Sequence, residues 1–279
     1  MYKTIFDSLR ARYDSGEARA LAFLVLEDAF DVSRTDVYAD KVRHFSEDEH
    51  VRLQNILQRM VAGEPVQYVL GSARFCGLDF RVTPATLIPR PETEELVDWA
   101  VSKAKEMGRH ALRLLDGGTG SGCIAIALSR QLPSAVVTAW DLSETALEVA
   151  RQNARLHQAN VVFEHRDLLA DLPPSRSLDL IVSNPPYICH REQADMEEHV
   201  LAHEPATALF VPDADPLLFY RALCRIGCHS LCAGGYILME VNRAYAEETA
   251  CLFRTAGFER VEVRCDQFGQ PRMVGAMLQ

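Results

Sequence analysis

Residues 112–122 read LRLLDGGTGSG, an apolar run that passes directly into a glycine-rich turn. The run predicts a buried β-strand, and the apolar segment from Cys123 onward predicts a helix. Glycines in such a turn tolerate positive φ and let the backbone come close to a ligand. The spacing from Gly120 through Gly122 to Ala125 matches that of dinucleotide-binding turns, although a tight strand-to-helix connection can need the same glycines for itself.

A carboxylate ends the next apolar run, residues 135–141, which read AVVTAWD. In dinucleotide-binding folds an acidic residue in this position, roughly 20 residues after the glycines, accepts the hydroxyls of a ribose. Asp141 therefore predicts an adenosine-type cofactor. A pyrophosphate cofactor would use the positive end of the helix after the turn, whereas S-adenosylmethionine has no phosphate to place there, so the turn leaves both open.

Strand-like and helix-like patterns alternate over the whole second part of the chain. Glu144–His157, after the cap-like Ser143, and Pro216–Cys232 have helical periodicity. The candidate strands are Leu112–Asp116, Ala135–Asp141, Val161–His165, Leu178–Ser183, Tyr236–Val241 and Arg260–Arg264. This alternation predicts an α/β fold with a mainly parallel sheet covered on both faces, whose ligand lies at the carboxyl ends of the strands.

The N-terminal part has a different pattern, because its first 62 residues predict helix throughout. Ser46 and Glu49 form a capping box, Gly63 is placed to end that helix, and Leu21–Phe30 is apolar on nearly all sides, as in a buried bundle. Cys76-Gly77 predicts a hairpin turn, and a proline-rich linker follows. We expect a helical domain at 1–72, a hairpin and linker at 73–90, and the α/β domain at 91–279.

Composition and charge exclude several classes of protein. The 279 residues include 29 Lys and Arg against 39 Asp and Glu, a formal net charge of -10, which disfavours strong attraction to naked nucleic acid or an anionic membrane. The sequence contains neither a signal peptide pattern nor an apolar run of about 18 residues, so a soluble, cytoplasmic protein is expected. Cys224, Cys228 and Cys232, at helical spacing, are expected to be core residues and not metal ligands.

The segment Asn184-Pro185-Pro186-Tyr187 follows the candidate strand Leu178–Ser183 directly. Its two prolines lack N–H groups and hold the backbone extended, so nearby carbonyls can stay available as acceptors. The Asn184 side-chain oxygen and a backbone carbonyl can then accept from one planar NH2 group, with the Tyr187 ring against it. Because an amide nitrogen is a poor nucleophile, two acceptors would orient it and favour the charge that develops on it. The segment Asn184–Tyr187 therefore predicts an enzyme that transfers a group to a planar nitrogen.

These features together resemble a known family. Asn184–Tyr187 is similar to the signature of S-adenosylmethionine-dependent methyltransferases that act on planar nitrogens. The resemblance to the bacterial peptide chain release factor glutamine methyltransferases is carried by Gly63–Gly71 (GEPVQYVLG), Ala85–Glu94 (ATLIPRPETE), and His203–Pro205 (HEP) followed by Ala208-Leu209. It extends from about residue 53 to the C-terminus.

The resemblance implies a class I methyltransferase fold, Rossmann-like with a mainly parallel seven-stranded sheet, and a small all-helical N-terminal domain that docks the partner. The implied substrate is the glutamine of the Gly-Gly-Gln loop of a class 1 release factor, methylated on its side-chain nitrogen N5. The implied S-adenosylmethionine site consists of Gly118, Thr119, Gly120, Ser121, Gly122, Asp141, Asp167, Leu168 and Asn184. The residues implied to hold the glutamine are Asn184, Pro185, Pro186 and Tyr187. A monomer that contacts neither nucleic acid nor membrane is expected.

Four rival functions stay open at this level, and one of them is a ribosome-associated binder without catalysis, which the intact cofactor site disfavours. A nucleic-acid methyltransferase acting on adenine N6 would use the same tetrapeptide, but the acidic net charge and the lack of a basic recognition segment disfavour it. Glutamine methylation of a ribosomal protein is a closer variant. A nicotinamide-dependent oxidoreductase would leave Asn184–Tyr187 without a task.

The roles of some charged and nucleophilic residues also stay open. Arg90, Thr93 and Glu94 either face the ligand cleft or cap the helix that begins near Pro91. The acidic run formed by Glu192, Asp195, Glu197 and Glu198 is expected to be a solvated, mobile loop that could close over the glutamine. Cys189 and His190 resemble a nucleophile and its base, but adjacent residues point apart and methyl transfer needs no covalent intermediate.

Overall fold

The computed structural model describes residues 1–39 and 44–279. This part of the chain forms two compact units, residues 1–72 with 197–203 (the helical unit) and residues 73–196 with 204–279 (the sheet unit). Within the described residues, no helix has the length and apolar composition needed to cross a membrane.

The helices, in chain order, are α1 (Tyr2–Leu9), α2 (Ser15–Phe30), α3 (Arg34–Tyr38), α4 (Glu47–Val61), α5 (Val66–Leu70), α6 (Pro91–Glu106), α7 (Cys123–Gln131), α8 (Glu144–Leu156), α9 (Glu198–His203), α10 (Ala206–Leu209), α11 (Leu218–Ser230) and α12 (Ala246–Thr255). Short 3₁₀ helices span His190–Asp195 and Arg243–Tyr245. The strands are β1 (Ser72–Phe75), β2 (Leu78–Arg81), β3 (Arg113–Gly117), β4 (Val136–Asp141), β5 (Val161–His165), β6 (Leu178–Ser183), β7 (Ile188–Cys189), β8 (Phe210–Val211), β9 (Leu231–Glu240), β10 (Phe258–Cys265) and β11 (Pro271–Leu278).

The helical unit consists of separate helices, and polar side chains cap the starts of α2, α3 and α4. Asp14 accepts from the backbone N–H groups of Gly16 and Glu17 at the start of α2. Ser46 and Glu49 form the predicted capping box at the start of α4. The helical prediction for the first 62 residues is confirmed for α1 to α4 but is wrong for residues 10–14 and 31–33, which are not helical, and its residues 40–43 lie outside the described residues.

Helix α2 supplies much of the apolar core of the helical unit. Its residues Ala22, Val25 and Leu26 are fully buried, together with Leu9 of α1 and Met60 of α4. This confirms the prediction that the strongly apolar segment 21–30 packs inside a small bundle. A helix that is apolar on nearly all sides is stable only when it is surrounded in this way.

The sheet unit is built on a seven-stranded sheet with the strand order β10-β11-β9-β6-β3-β4-β5. Strands β9, β6, β3, β4 and β5 pair in parallel, whereas β11 runs antiparallel to both of its neighbours. The predicted α/β class with a mainly parallel seven-stranded sheet is confirmed.

Side chains on the central strands alternate between two hydrophobic cores. Leu114 and Leu180 lie in the core that contains residues of α6 and α7, while Leu115 and Ile181 lie in the core that contains residues of α11 and α12. Full burial of one such side chain contributes about 1.5–3 kcal/mol, so a one-residue shift in register would be very costly. The alternation fixes the strands so that the carboxyl ends of β3, β4 and β6 meet at one edge.

All six predicted strands are present, but β10 spans Phe258–Cys265 and not Arg260–Arg264, and the two-residue strands β7 and β8 have no predicted counterpart. β5 and β6 have the predicted bounds, and β3 and β4 differ from them by one residue. Strand β9 begins at Leu231, which pairs with Leu178, so α11 ends at Ser230 and not at Cys232 as predicted. Strand β11 has no counterpart among the strands predicted from the alternation.

The early start of β9 corrects the prediction for the three cysteines. Cys232 lies on β9 and not on the helix that carries Cys224 and Cys228, so the three do not share one helix face. Cys224 is buried, whereas Cys228 and Cys232 are only partly buried. The predicted core position is confirmed for Cys224 alone.

The segment before α6 forms the predicted hairpin. Strands β1 and β2 pair with each other, and the turn between them contains Cys76 at φ 48° and Gly77 at φ 74°. Two successive residues with positive φ are typical of the tight turns whose twist matches that of the flanking strands.

Candidate active site

A cavity of roughly 420 Å³ opens at the carboxyl ends of β3, β4 and β6, and only residues of the sheet unit line it. This volume lies in the range of pockets that hold small-molecule ligands. The predicted residues that line the cavity are Gly118, Thr119, Gly120, Ser121, Asp141, Asp167, Leu168, Asn184 and Pro186. Gly122, Pro185 and Tyr187, which were also predicted, are not among the lining residues.

The glycines of the turn after β3 have two different tasks. Gly118, Gly120 and Gly122 all have positive φ, at 75°, 54° and 83°. A Cβ built on Gly120 would meet no described atom within 4 Å, so the backbone there is open to a ligand. A Cβ on Gly122 would lie 3.1 Å from Ala150 Cβ, so this glycine allows α7 and α8 to pack closely.

Asp141 joins the end of β4 to the glycine turn. Its Oδ2 accepts from the backbone N–H of Gly120 at 2.8 Å, and its Oδ1 accepts from the N–H of Ser143 at 2.8 Å. Burial raises the pKa of this carboxyl, and the two N–H groups oppose that shift. Each carboxylate oxygen retains acceptor capacity, which a ribose hydroxyl in the cavity can use.

Asp116 lies at the base of the same turn and is fully buried. Its Oδ2 accepts from the Thr119 hydroxyl at 2.6 Å and from the Ala125 N–H at 3.1 Å. Its Oδ1 has no partner among the described residues, and burial raises the pKa of this carboxyl to about 7. A buried acceptor without a partner in the protein is normally satisfied by a ligand or water. An acceptor of this kind, beside an open glycine and a carboxylate with remaining acceptor capacity, fits S-adenosylmethionine.

Asp167 and Leu168 form another part of the cavity wall. Asp167 Oδ1 accepts from the N–H of Leu169 at 2.8 Å, which holds this segment in a turn. Leu168 is buried, and a Cβ built on Gly117 would lie 3.1 Å from its Cδ2. Glycine at position 117 therefore leaves the space that the Leu168 side chain occupies.

The segment Asn184–Tyr187 leaves β6 beside the cavity. The Ser183 hydroxyl donates to the Gly117 carbonyl at 2.6 Å, which ties the end of β6 to the end of β3. Asn184 is half-buried, and its Nδ2 donates to the Thr93 hydroxyl at 3.1 Å. The Tyr187 hydroxyl donates to Glu240 Oε1 at 2.9 Å, and burial together with the Glu240 charge raises the pKa of Tyr187.

The three residues whose role the sequence left open are used differently. Arg90 and Thr93 line the cavity, whereas Glu94 lies outside the lining and accepts from the N–H of Cys76 at 3.0 Å. Arg90 makes an ion pair with the buried Glu204, and its side chain makes no capping bond at the start of α6. Thr93 donates to Glu240 Oε2 at 2.7 Å.

Glu240, like Asp116, is a residue of this site that the sequence analysis does not single out. It ends β9 and is almost completely buried, and burial raises the pKa of its carboxyl. A signal was present, because Glu240 is a lone carboxylate that follows the apolar run 236–239 near the carboxyl end of a predicted strand.

The acidic run after Tyr187 is only partly solvated. Glu192 Oε2 accepts from the N–H of Cys189 at 2.7 Å and from Asn242 Nδ2 at 3.0 Å. The prediction of a solvated loop is therefore wrong for Glu192, whereas Asp195, Glu197 and Glu198 are exposed.

Cys189 and His190 do not form a nucleophile and base. The Cys189 thiol is buried, which raises its pKa, and its sulfur lies 3.9 Å from the Tyr245 hydroxyl. The His190 ring stacks on Phe210, with 5.0 Å between the ring centroids.

Comparison with solved structures agrees with this architecture. The Thermus thermophilus 16S rRNA N2 G1207 methyltransferase, solved with AdoMet and guanosine, matches 75% of this chain and 50% of its own, with a TM-score of 0.53 at 17% identity. The family model described as the methyltransferase small domain matches residues 101–210. The fold and the cavity together define a methyltransferase that depends on S-adenosylmethionine.

Curated relatives narrow this class to one family. The release factor glutamine methyltransferase of Bacteroides thetaiotaomicron is 44% identical over 273 residues, which cover 98% of this chain and 97% of the relative. That of Streptococcus pneumoniae is 38% identical over 260 residues, 92% of this chain and 91% of the relative. The family model described as the PrmC N-terminal domain matches residues 2–71. The chain belongs to the release factor glutamine methyltransferase family.

Proposed function

We propose that this enzyme transfers a methyl group to the side-chain nitrogen N5 of the glutamine in the Gly-Gly-Gln motif of class 1 peptide chain release factors. The observation that carries the proposal is the arrangement of Asn184. Its Nδ2 is occupied by Thr93, and within the described residues no group donates to its Oδ1. An acceptor beside the cavity is what a planar NH2 group needs, and the relatives named above supply the identity of the protein that carries it.

The residues of the chain would bind and orient the glutamine amide. S-adenosylmethionine, when bound, would supply an electrophilic methyl group, and its sulfur would keep the electron pair of the broken sulfur–methyl bond as a neutral thioether. Asn184 Oδ1 accepts one hydrogen of the substrate NH2, and this contact strengthens as positive charge develops on the nitrogen. The nitrogen forms one new bond to carbon and gives up one proton to solvent. Holding the amide in position for attack removes much of the entropic barrier, because the nitrogen is a poor nucleophile.

The helical unit has no catalytic residue among the proposed set, and we assign it to the release factor. A pocket that recognises a planar NH2 group cannot by itself select one protein, so a second contact surface is needed. Two separated contacts give tighter binding than either one alone. In this proposal the enzyme acts as a cytoplasmic monomer on a protein, without direct contact with nucleic acid.

The test is a methyl-transfer assay with radiolabelled S-adenosylmethionine and three acceptors: a purified class 1 release factor, the ribosomal proteins, and nucleic acid. We expect label in the release factor and none in a release factor whose Gly-Gly-Gln glutamine is changed to alanine. Label in the ribosomal proteins or in adenine would reject the proposed substrate.

A further inference from the structure

We propose that Thr93 and Glu240 are positioning residues that fix which way the Asn184 amide faces. The proposal rests on the proposed function, since it explains how the acceptor for the glutamine NH2 is presented. Neither residue needs to touch the glutamine, because both act through Asn184.

The three side chains form one continuous hydrogen-bonded relay from the cavity into the protein. Asn184 Nδ2 donates to Thr93 Oγ1 at 3.1 Å, and the Thr93 hydroxyl donates to Glu240 Oε2 at 2.7 Å. Thr93 lies on α6 and Glu240 on β9, and Asn184 directly follows the end of β6. Thr93 and Glu240 are each 2% exposed, which excludes bulk water as a competing partner.

The donor and acceptor inventory gives the relay one direction. When Glu240 is ionised, as at the mildly alkaline pH of the experiment below, its oxygens only accept, so the single hydroxyl proton of Thr93 points to Glu240. The Thr93 oxygen can then only accept from Asn184, and the atom facing it must be Nδ2. These hydrogen bonds therefore determine the orientation of the Asn184 amide, and its Oδ1 is available to accept from a group in the cavity.

The second carboxylate oxygen of Glu240, Oε1, binds Tyr187 at the other end of the segment Asn184–Tyr187. The Tyr187 hydroxyl donates to Glu240 Oε1 at 2.9 Å, so one carboxylate accepts from both hydroxyls. Arg272 on β11 supplies a positive charge that favours the ionised carboxylate. Because the two hydroxyls donate to two different oxygens, an ionised Glu240 can hold Thr93 and Tyr187 at the same time.

A reversed Asn184 amide would be inactive. It would present Nδ2 to the cavity, and an NH2 group of the glutamine cannot donate to another NH2 group. A relay that excludes the reversed orientation keeps all enzyme molecules ready to bind the amide. Losing it should lower the rate of transfer more than the affinity for S-adenosylmethionine.

The experiment uses the full chain at mildly alkaline pH with three variants. Thr93→Val removes the hydroxyl at nearly constant shape, and Thr93→Ser keeps it. Thr249→Val is the matched control, because Thr249 on α12 is also fully buried and its hydroxyl donates to the Tyr245 carbonyl at 2.8 Å, outside the relay. Thermal melting of each variant shows that it is folded.

We expect kcat with the release factor to fall about 10- to 100-fold in Thr93→Val, in line with the cost of a misplaced reacting group. Thr93→Ser should restore kcat to within a few-fold, and Thr249→Val should not change it. The calorimetric Kd for S-adenosylmethionine should stay nearly constant throughout. A kcat in Thr93→Val close to that of the wild type, or a large loss of S-adenosylmethionine affinity in that variant, would overturn the positioning role.

A second readout does not depend on activity. In ¹H–¹⁵N spectra the side-chain amide signals of Asn184 are identified by their absence in Asn184→Ala. They should move upfield in Thr93→Val and stay in place in Thr249→Val, because only the first variant removes the acceptor of Nδ2. Unmoved signals would overturn the relay, whatever the kinetics.

A replacement variant and the Asn184 signals keep the test of the relay separate from protein folding and from the proposed function. If Thr93→Val does not fold, Glu240→Gln replaces it, since a glutamine has one acceptor oxygen for two hydroxyl donors and should shift the same Asn184 signals. Glu240→Gln that leaves both kcat and these signals unchanged would overturn the relay. If the wild type labels no release factor, the proposed function fails, but the Asn184 signals still decide whether the relay exists.

Discussion

Replacing Asp141 by alanine should weaken S-adenosylmethionine binding more than any other single change at the cofactor site. The carboxylate at the end of β4 accepts from the N–H groups of Gly120 and Ser143, each at 2.8 Å, and has further acceptor capacity toward the cavity. The substitution therefore removes the ribose acceptor and also the link between β4 and the glycine turn.

The two losses appear in different measurements. A hydrogen bond to a charged group contributes about 1.5–3 kcal/mol, so losing the ribose contact should raise the Kd about 10- to 150-fold. The lost link to the turn should lower the free energy of unfolding of the ligand-free protein by about 1–3 kcal/mol. The first effect is measured by calorimetric titration at a temperature where the variant is folded, and the second by chemical denaturation.

The matched control for this prediction is Glu144→Ala. Glu144 is an exposed carboxylate three residues further on, and it forms an ion pair with Arg151. This control should leave the Kd unchanged and alter stability by less than about 1 kcal/mol, as is usual for a surface ion pair. A folded Asp141→Ala variant whose Kd lies within about two-fold of the wild type would show that the ribose is bound elsewhere.

Three further changes test other parts of the site. Asn184→Ala should lower kcat about 10²- to 10³-fold with little change in the calorimetric Kd for S-adenosylmethionine, and a large rise in that Kd would reject its assignment to the substrate amide. Burial raises the pKa of the Asp116 carboxyl to about 7 in the folded protein, against 3.8 for the ordinary side chain, so folding favours the protonated form. Its contribution to the free energy of unfolding is therefore fully present below pH 3.8 and is lost as pH rises through about 7. Chemical denaturation of the ligand-free wild type should show this loss of stability with rising pH, and the Asp116→Asn variant should not show it. An equal pH dependence of the free energy of unfolding in the wild type and in the variant would contradict the burial argument. A chain that begins at Ser72 should bind S-adenosylmethionine but methylate the release factor with a raised KM, and equal rates at low release factor would remove the docking role from the helical unit.

The central strands could be predicted because both of their faces are buried. Leu114 and Leu115, like Leu180 and Ile181, face opposite cores, so the strands appear in the sequence as short apolar runs. The ends of those runs also placed Asp141 and Asn184 at the same edge of the sheet. The strands of a parallel sheet that is covered on both faces can thus be located from the sequence alone.

Strand β11 could not be predicted, because its sequence contains residues that usually argue against a strand. It begins at Pro271 and has Gly275 at its centre. A Cβ built on Gly275 would lie 2.4 Å from Trp99 Cη2, so the glycine makes room for the indole ring. The reason for this glycine is a contact with α6, far away in the sequence.

The relay behind Asn184 was hidden for a similar reason. Thr93 and Glu240 are separated by 147 residues, and no local pattern connects them. Thr93 was left undecided between cleft and helix cap, since its position near the start of α6 suits both. The partner that decides its role belongs to a different strand, which only the folded structure brings into contact.

Mapping of the methylated residue by mass spectrometry tests the proposed reaction most directly. A class 1 release factor is incubated with the full chain and S-adenosylmethionine, digested, and compared with the same sample treated with Asn184→Ala. We predict a mass gain of one methyl group on the glutamine of the Gly-Gly-Gln peptide, with fragment ions that place it on that side chain, and a far smaller modified fraction with the variant over the same short incubation. A methyl group on another residue, or an unmodified peptide while nucleic acid or a ribosomal protein becomes methylated, would contradict it.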